Sequence, residues 1–292
     1  MRNRFFILSV VALAPPLPAQ NATPNDPLVA RALPEIAKLA SDFWHSAPDY
    51  TALETLRQNA LVVPKRRLRV GVKAVQAPKS EIKNREIVSY YAISFFTARP
   101  EALHEFRQIV AVDGKAVTDA STARAKLRGT LEAKNDHAKK ALLDDFDKAN
   151  MTVSATDFGQ LVLLFTRANL QKYNFESKTK EMVGADRAMV IAFHQSAGGE
   201  ALRITEAGKR VNEPLSGQMW IRESDYQPLR ITLNATRRDE SEEIRDEARV
   251  DYAAVAAGTF LPASVVYRRH INGKLVAEST SEYSDWQPVK AK

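Results

Sequence analysis

The strongest constraint on the fold is the alternation of apolar and polar residues across 217–286. In 229–236, Leu-Arg-Ile-Thr-Leu-Asn-Ala-Thr, the alternation is unbroken, which is the period-two pattern of a strand with one buried and one solvated face. Asn272 and Gly273 can supply the two positive-φ positions of a type I′ turn between two further apolar stretches. The segment therefore predicts an antiparallel meander whose apolar face must be covered by another part of the chain.

The first twenty residues have a different character. Arg2 and Arg4 precede an apolar run from Phe5 to Ala14, and a proline-rich, small-residue segment ends at Gln20. This order predicts a secretory signal peptide at 1–20, too short for a comfortable membrane span. We therefore expect a periplasmic or extracellular protein with no transmembrane segment after signal removal. The sequence has no cysteine, which excludes disulfides and thiolate metal sites and suits an exported chain.

The chain is basic, with a net charge of +7. Two of these charges are the signal arginines, so the mature chain would carry about +5. In an exported protein nucleic acid is not an expected partner, whereas an anionic lipid surface or an envelope protein is. The densest basic run contains Lys65, Arg66, Arg67 and Arg69. It is either a surface-binding site or a solvated strand edge on which basic side chains deter pairing.

The mature chain is predicted to be one α+β domain at 21–292. Asp26 followed by a proline is typical of a helix start, and Leu53, Leu56 and Ala60 recur at helical spacing in a second helix up to residue 63. Strand-forming residues occur on both sides of a central helical stretch, which one domain explains better than two. The predicted parts are N-terminal helices at 21–63, first strands at 65–117, a helical insert at 118–172 and an antiparallel meander at 173–286.

Three helices are predicted within the insert, at 120–131, 137–150 and from Thr156 or Asp157 to Ala168. The third is the most apolar helical pattern in the mature chain, so we expect it to pack against the apolar face of the sheet. The fold class that follows is α+β: a curved antiparallel sheet, an incomplete barrel, with helices packed on its concave face.

Several segments carry a resemblance to known families. They are Phe106-Arg-Gln-Ile-Val-Ala-Val-Asp-Gly114, the apolar 161–165, Gly217-Gln-Met-Trp-Ile221 and Pro228-Leu-Arg-Ile231. Together with the signal peptide they resemble an uncharacterised family of predicted secreted bacterial proteins, and the sheet half is similar to the lipoprotein-carrier fold of LolA and LolB. That resemblance implies strands that hold acyl chains under a lid of helices. Residues 106–119 also resemble a PDZ strand-turn-helix unit but lack its carboxylate-binding loop, so we interpret them as a generic unit.

Catalytic motifs are scarce. The sequence contains no G-x-S-x-G elbow, phosphate-binding glycine loop, dinucleotide fingerprint or H-E-x-x-H motif. The five histidines show no ligand spacing, and we predict neither a metal site nor a cofactor. A hydrolase remains an alternative only if His194 or His270 lies in a cleft with a serine and an acid.

The favoured function is a non-catalytic carrier for a lipid or other hydrophobic ligand held between the sheet and its covering helices. The same apolar side chains form an ordinary core if close packing leaves no room. The first alternative is a cell-envelope protein that uses the basic run against a partner or an anionic surface. The candidate lining residues are Met219, Ile221, Leu229, Ile231, Leu233, Val250, Tyr252, Val265 and Tyr267 from the sheet, with Leu161 and Phe165 from the covering helix.

Overall fold

The structure is a computed structural model that describes residues 26–62, 80–151, 157–196, 203–206, 209–212, 214–239, 241–256 and 258–289. The helices are α1 (Pro27–Ser46), α2 (Ala120–Glu132) and α3 (His137–Ala149), with 3-10 segments at Ala47–Asp49, Phe158–Phe165 and Leu170–Lys172. The strands are β1 (Tyr50–Val62), β2 (Glu81–Phe96), β3 (Arg99–Val112), β4 (Lys115–Ala116), β5 (Tyr173–Val183), β6 (Asp186–Gln195), β7 (Arg203–Glu206), β8 (Lys209–Asn212), β9 (Leu215–Arg222), β10 (Pro228–Asp239), β11 (Glu242–Ala256), β12 (Thr259–Ile271) and β13 (Lys274–Pro288).

Strands from both sides of the insert join one antiparallel sheet. In the described residues its order is β4-β3-β2-β1-β13-β12-β11-β10-β9-β6-β5, and β7 pairs with β8 separately. The junction is the pairing of β1 with β13, from Tyr50 opposite Pro288 to Ala60 opposite Ala277. The sheet does not close, because β4 and β5 form its two edges within the described chain. The predicted common sheet is therefore confirmed.

One apolar core lies on a single face of this sheet, which we call the inner face. The core includes Tyr91 from β2 and Phe193 from β6, seven positions apart in the sheet order. Side chains of α1 and of Phe158–Phe165 fill the same cluster. The helix α1 and the Phe158–Phe165 segment can contact strands this far apart because the sheet curves around them. The predicted fold class, a curved open antiparallel sheet with helices on its concave face, is confirmed.

The helix α1 begins as its sequence predicts. Asp26 caps it, accepting a hydrogen bond from the Leu28 backbone N–H at 2.9 Å, and Pro27 occupies the first turn, where it removes no needed donor. The buried side follows helical spacing through Val29, Ile36 and Phe43. The amphipathic pattern therefore directs one side of α1 onto the core and leaves the other in solvent.

The helix predicted from 49 to 63 is wrong, because residues 50–62 form β1. Every second residue from Ala52 to Ala60 is buried, but two of these inward residues are polar, Glu54 and Gln58. Polar residues on the buried face hid the alternation, while three apolar residues happened to fall at helical spacing.

The third predicted helix of the insert is also corrected. Phe158–Phe165 forms 3-10 turns with a break at Gln160, rather than an α-helix that continues to Ala168. Asp157 precedes it with a positive φ of 71°, a conformation that Asp tolerates better than most residues. All eight residues of Phe158–Phe165 are buried, so no solvent-facing side exists to give an amphipathic helix. Its predicted position is nevertheless confirmed, since Leu161 and Phe165 share the core with Ile231 and Val265.

The helices α2 and α3 do not cover the inner face as a whole. Leu127 of α2 packs with Ala92 and Phe106, and Ala92 points away from the inner face because it follows Tyr91 on β2. Along α3, Leu142 joins this outer cluster, whereas Phe146 belongs to an inner cluster with Leu56, Ile87 and Ile109. Thus α2 lies on the outer face and α3 extends along β3, with contacts on both faces.

The strand-turn-helix unit predicted at 106–119 is confirmed. The strand β3 ends at Val112, and the turn that follows uses positive φ at Asp113 (50°) and Gly114 (74°) before β4 and α2. Asp119 then caps α2 by accepting a hydrogen bond from the Ser121 backbone N–H at 2.7 Å. This short connection fixes α2 against β2 and β3.

The two sides of the sheet end differently. At one side β4 is only two residues long, and α3 packs against β3 beside it. At the other side β5 is the last strand, with a register shift between Lys178 and Glu181. Lys178 and Lys180 project from this strand with side chains 41% and 44% exposed, and each contacts a carboxylate.

Candidate ligand site

Ten of the eleven predicted lining residues meet in the main core. All ten are buried and belong to one contiguous cluster on the inner face. Whether they line a cavity or only a core stays a prediction, because in this structure the cover formed by α1 and Phe158–Phe165 fills the space above them. The ten are Met219, Ile221, Ile231, Leu233, Val250, Tyr252, Val265, Tyr267, Leu161 and Phe165.

The exception is Leu229, which the structure places elsewhere. It packs with Ala188, Val190 and Trp220 in a separate cluster. The pairing of β10 with β9 shifts register between Pro228 and Arg230, so the alternation that continues from Ile231 does not extend to Leu229. The inclusion of Leu229 among the lining residues is therefore corrected.

Other predicted sites lie outside the described residues. These are the signal peptide at 1–20 and the basic run of Lys65, Arg66, Arg67 and Arg69, so both stay predictions. No helix in the described parts of the chain is both long and apolar enough to span a membrane.

The two histidines named for a hydrolase do not form a recognisable site. His194 is exposed, and its Nε2 lies 3.2 Å from the Asn174 side-chain nitrogen. His270 has a buried Nδ1 without a hydrogen-bond partner in the described parts of the chain. Neither histidine contacts both a serine and a carboxylate among the residues that the structure describes. The hydrolase alternative therefore gains no support from these positions.

A buried ionic cluster lies beside the apolar core. Arg107 of β3 donates from Nε to Glu54 Oε2 at 2.6 Å and from Nη2 to Glu54 Oε1 at 2.9 Å. Nη2 also contacts Glu105 Oε2 at 2.7 Å, and Ser89 donates to Glu54 at 3.0 Å. Glu54, Glu105 and Arg107 are 0%, 2% and 5% exposed. Cross-strand pairing explains the arrangement: Glu54 lies opposite Ser89, and Arg107 lies opposite Tyr91 on the same face.

The ionic cluster also holds the Phe158–Phe165 segment against β3. Glu105 Oε1 accepts a hydrogen bond from the Gly159 backbone N–H at 2.7 Å, and Asp157 accepts one from the Glu105 backbone N–H at 2.8 Å. A Cβ at Gly159 would lie 2.9 Å from Glu105 Oε1 and 2.8 Å from Tyr91 Oη, so glycine permits this close approach. Asp157 also lies 3.5 Å from His104.

The protonation equilibria follow from this burial. Burial raises the pKa of Glu105; Arg107 opposes the shift, and Asp157 and Glu54 add to it. Burial alone would lower the pKa of Arg107, but the Glu54 and Glu105 carboxylates raise it well above its usual range. Burial likewise raises the pKa of Tyr91 well above its usual range. The guanidinium therefore stays charged and the phenol stays neutral near pH 7.

A cleft opens next to this cluster. Its empty volume, including the mouth, is about 360 Å³. The part of this volume that the centre of a water molecule can occupy is about 20 Å³, which is enough for one water. Arg107 forms part of the wall, and its Nη1 is buried without a hydrogen-bond partner among the described residues. The lining residues are Leu56, Glu105, Arg107, Phe146, Phe158, Val265, Tyr267, Ser279, Ser281 and Tyr283.

Sequence reasoning did not identify the ionic cluster. The signal available was the pair Glu105 and Arg107, two charged residues two positions apart and therefore on the same face of β3. Their partner Glu54 was assigned to a helix, so no pairing could be inferred. Charged residues that share the buried face of a strand need partners, and the correct register of β1 would have supplied one.

Comparisons with known proteins give similarity at the level of structure. No protein-family model and no curated protein sequence matches the chain. A domain assigned as an outer membrane lipoprotein-sorting protein from Vibrio parahaemolyticus aligns with 10% identity and a TM-score of 0.36, covering 87% of this chain and 91% of that one. A DUF1329 family protein from Desulfovibrio piger aligns with 9% identity and a TM-score of 0.35, covering 89% and 92%. Lipoprotein LppX from Mycobacterium tuberculosis aligns with 8% identity and a TM-score of 0.27, covering 88% and 94%.

Identities near 10% and TM-scores below 0.4 carry no information about ligand or activity. The ligand and activity of this chain therefore have to be inferred from its own side chains.

Proposed function

We propose that the protein is an exported, non-catalytic carrier for a lipid or other hydrophobic ligand, and that α1 acts as a displaceable lid. The observation that supports this is the way α1 is attached. The contact of α1 with the core is apolar. Within the described residues, the polar contact that joins α1 and its capping residue to the sheet is between Asp26 and Ser177. Few directional bonds would have to break for α1 to move.

The energies are compatible with exchange between lid and ligand. Val29, Leu33, Ile36 and Phe43 of α1 are buried, and burial of such side chains contributes roughly 1.5–3 kcal/mol each, on the order of 6–12 kcal/mol for four. A saturated chain of about sixteen carbons contributes about 0.8 kcal/mol per CH₂, on the order of 12 kcal/mol. An acyl chain that replaces α1 on the inner face can therefore offset the burial free energy that is lost when α1 leaves the core.

The Phe158–Phe165 segment is held more firmly than α1. Besides the Gly159 and Asp157 contacts, Gln160 donates to the Leu103 carbonyl at 3.0 Å, and the Val162 N–H donates to Tyr252 Oη at 3.1 Å. We assign it the role of a fixed floor of the ligand site, with α1 as the moving part. The location outside the cytoplasm rests on the predicted signal peptide, and N-terminal sequencing of the mature protein tests it.

Uptake of a fluorescent fatty acid by delipidated protein tests the carrier. We expect saturable binding with a blue-shifted emission, because the probe leaves water for an apolar site. Binding that does not saturate, or none, would contradict the proposal.

Crosslinking tests the lid. Because the chain has no cysteine, Asp26→Cys with Ser177→Cys introduces the only two thiols, and a short bis-maleimide can join them. We expect the crosslinked protein to lose most uptake. The two single-cysteine variants treated with the same reagent are the matched controls and should bind normally. Full uptake by the crosslinked protein would show that α1 does not need to move.

A further inference from the structure

The cleft joins a polar recess to the main core. Phe158 and Val265 belong both to the wall of the cleft and to the core cluster. Arg107, Ser279 and Ser281 also line it. A molecule in this position would have hydrogen-bonding groups at one end and hydrocarbon at the other, which is the environment required by an amphipathic ligand.

The polar groups of the recess include an unused donor. The Arg107 side chain is 6% exposed, and its Nη1 has no partner among the described residues, which is costly for a buried donor. Ser279 Oγ, which accepts from Gln58 Nε2 at 3.3 Å, is a second polar group of the recess. An acceptor oxygen in the cleft would satisfy Arg107 Nη1.

The recess already holds two carboxylic groups beside one guanidinium. Glu54 and Glu105 both contact the Arg107 guanidinium, so an anionic head group would bring a further negative charge beside two buried carboxylates. A cationic ammonium head group would offer donors and no acceptor, so Arg107 Nη1 would stay unpaired. An uncharged acceptor avoids both penalties.

We propose that the cleft is a head-group subsite for an uncharged, acceptor-only group, the carbonyl of a carboxylic ester, in which the carbonyl oxygen accepts a hydrogen bond from Arg107 Nη1. An oxygen of this kind needs about the space of one water, which the cleft has. The ligand class is then neutral acyl esters rather than free fatty-acid anions. This inference rests on the proposed carrier function and specifies its ligand.

The test compares two probes that differ only at the head group. Pyrene-labelled dodecanoic acid and its methyl ester are titrated into the full chain at pH 8, where the acid is ionised. We expect the ester to bind at least tenfold more tightly. Equal affinities would overturn the head-group subsite and leave the carrier intact, and tighter binding of the acid would overturn it as well. If neither probe binds, the carrier proposal fails, and the subsite fails with it.

A variant that fills the recess provides the second measurement. Ser281→Val adds one heavy atom to the cleft wall without touching the ion pairs, whereas changes at Arg107 would leave buried carboxylates unpaired. We expect the variant to lose the tenfold preference for the ester and to keep its affinity for the acid. The matched control is Thr280→Val on the opposite face of β13, which should keep the preference. An unchanged preference in Ser281→Val, with its fold verified by circular dichroism, would place the head group elsewhere.

Discussion

At the scale of single residues, Arg107 and Arg57 form a natural comparison. Both are arginines of the sheet that contact two carboxylates, but Arg107 is buried with Glu54 and Glu105, whereas the Arg57 side chain is 53% exposed. Removing one partner of a buried ion pair leaves uncompensated charge in a poorly solvated place. Exposed pairs are screened by water and salt.

We therefore expect Arg107→Ala to lose about 3–5 kcal/mol of unfolding free energy. Arg57→Ala should lose far less. Urea denaturation followed by circular dichroism measures both under the same conditions. Similar losses in the two variants would mean that the buried cluster contributes no more than a surface pair.

Gly217 of β9 has no room for a side chain. A Cβ there would lie 2.0 Å from the Thr232 carbonyl oxygen and 2.7 Å from Phe193 Cζ. Gly217→Ala should cost about 2–3 kcal/mol or more, since relief of this overlap requires backbone movement. Gly129→Ala is the control: its Cβ would meet nothing within 4 Å on the exposed side of α2, and alanine should stabilise the helix by roughly 0.5–1 kcal/mol. Opposite shifts of the urea midpoints check both expectations.

At the scale of elements, α3 contains a carboxylate that opposes folding near neutral pH. Burial, and then the charge of Asp144, raise the pKa of Asp147 to about 6. The folded state thus holds this proton more tightly than the unfolded chain, so the contribution of Asp147 to stability is greatest below about pH 4 and decreases as pH rises through 6. The last turn of a helix is also unfavourable for a negative charge.

Asp147→Asn should therefore stabilise the protein by about 1 kcal/mol at pH 7.5, after allowance for partial exposure, and should have little effect at pH 3.5. Asp145→Asn on the same helix is the control, because Asp145 is exposed and pairs with Lys148. Urea midpoints at the two pH values give the result. A gain of equal size at both pH values would contradict an origin in the ionisation of Asp147.

The elements also show what local sequence can predict. The helices α2 and α3 begin and end within one residue of their predicted bounds, because caps and apolar stripes are local properties. The strand β1 was missed because two of its inward residues are polar, and their partners are distant in sequence: Arg107 for Glu54, and Asn150 for Gln58. Burial of a polar residue is decided by such partners rather than by its neighbours in the chain.

At the scale of the whole molecule, local sequence patterns predict the core, whereas the candidate site depends on residues that are distant in sequence. Eight of the candidate residues from the sheet could be predicted to share the buried core, because alternation marks the buried face of each strand; Leu161 and Phe165 were predicted from an apolar run instead. The ionic cluster and the cleft could not, since they depend on the pairing of β1 with β2 and of β2 with β3. Leu229 shows the limit of alternation itself, because a register shift interrupts it at the end of β10.

The protected margins of the sheet have a consequence for the protein in concentrated solution. A long open sheet can recruit strands from neighbouring molecules and grow into fibrils. Here α3 shields one margin, and at the other the irregular pairing of β5 and the lysines Lys178 and Lys180 disfavour the approach of an identical chain. The sheet can thus stay open within the described chain while resisting polymerisation with copies of itself.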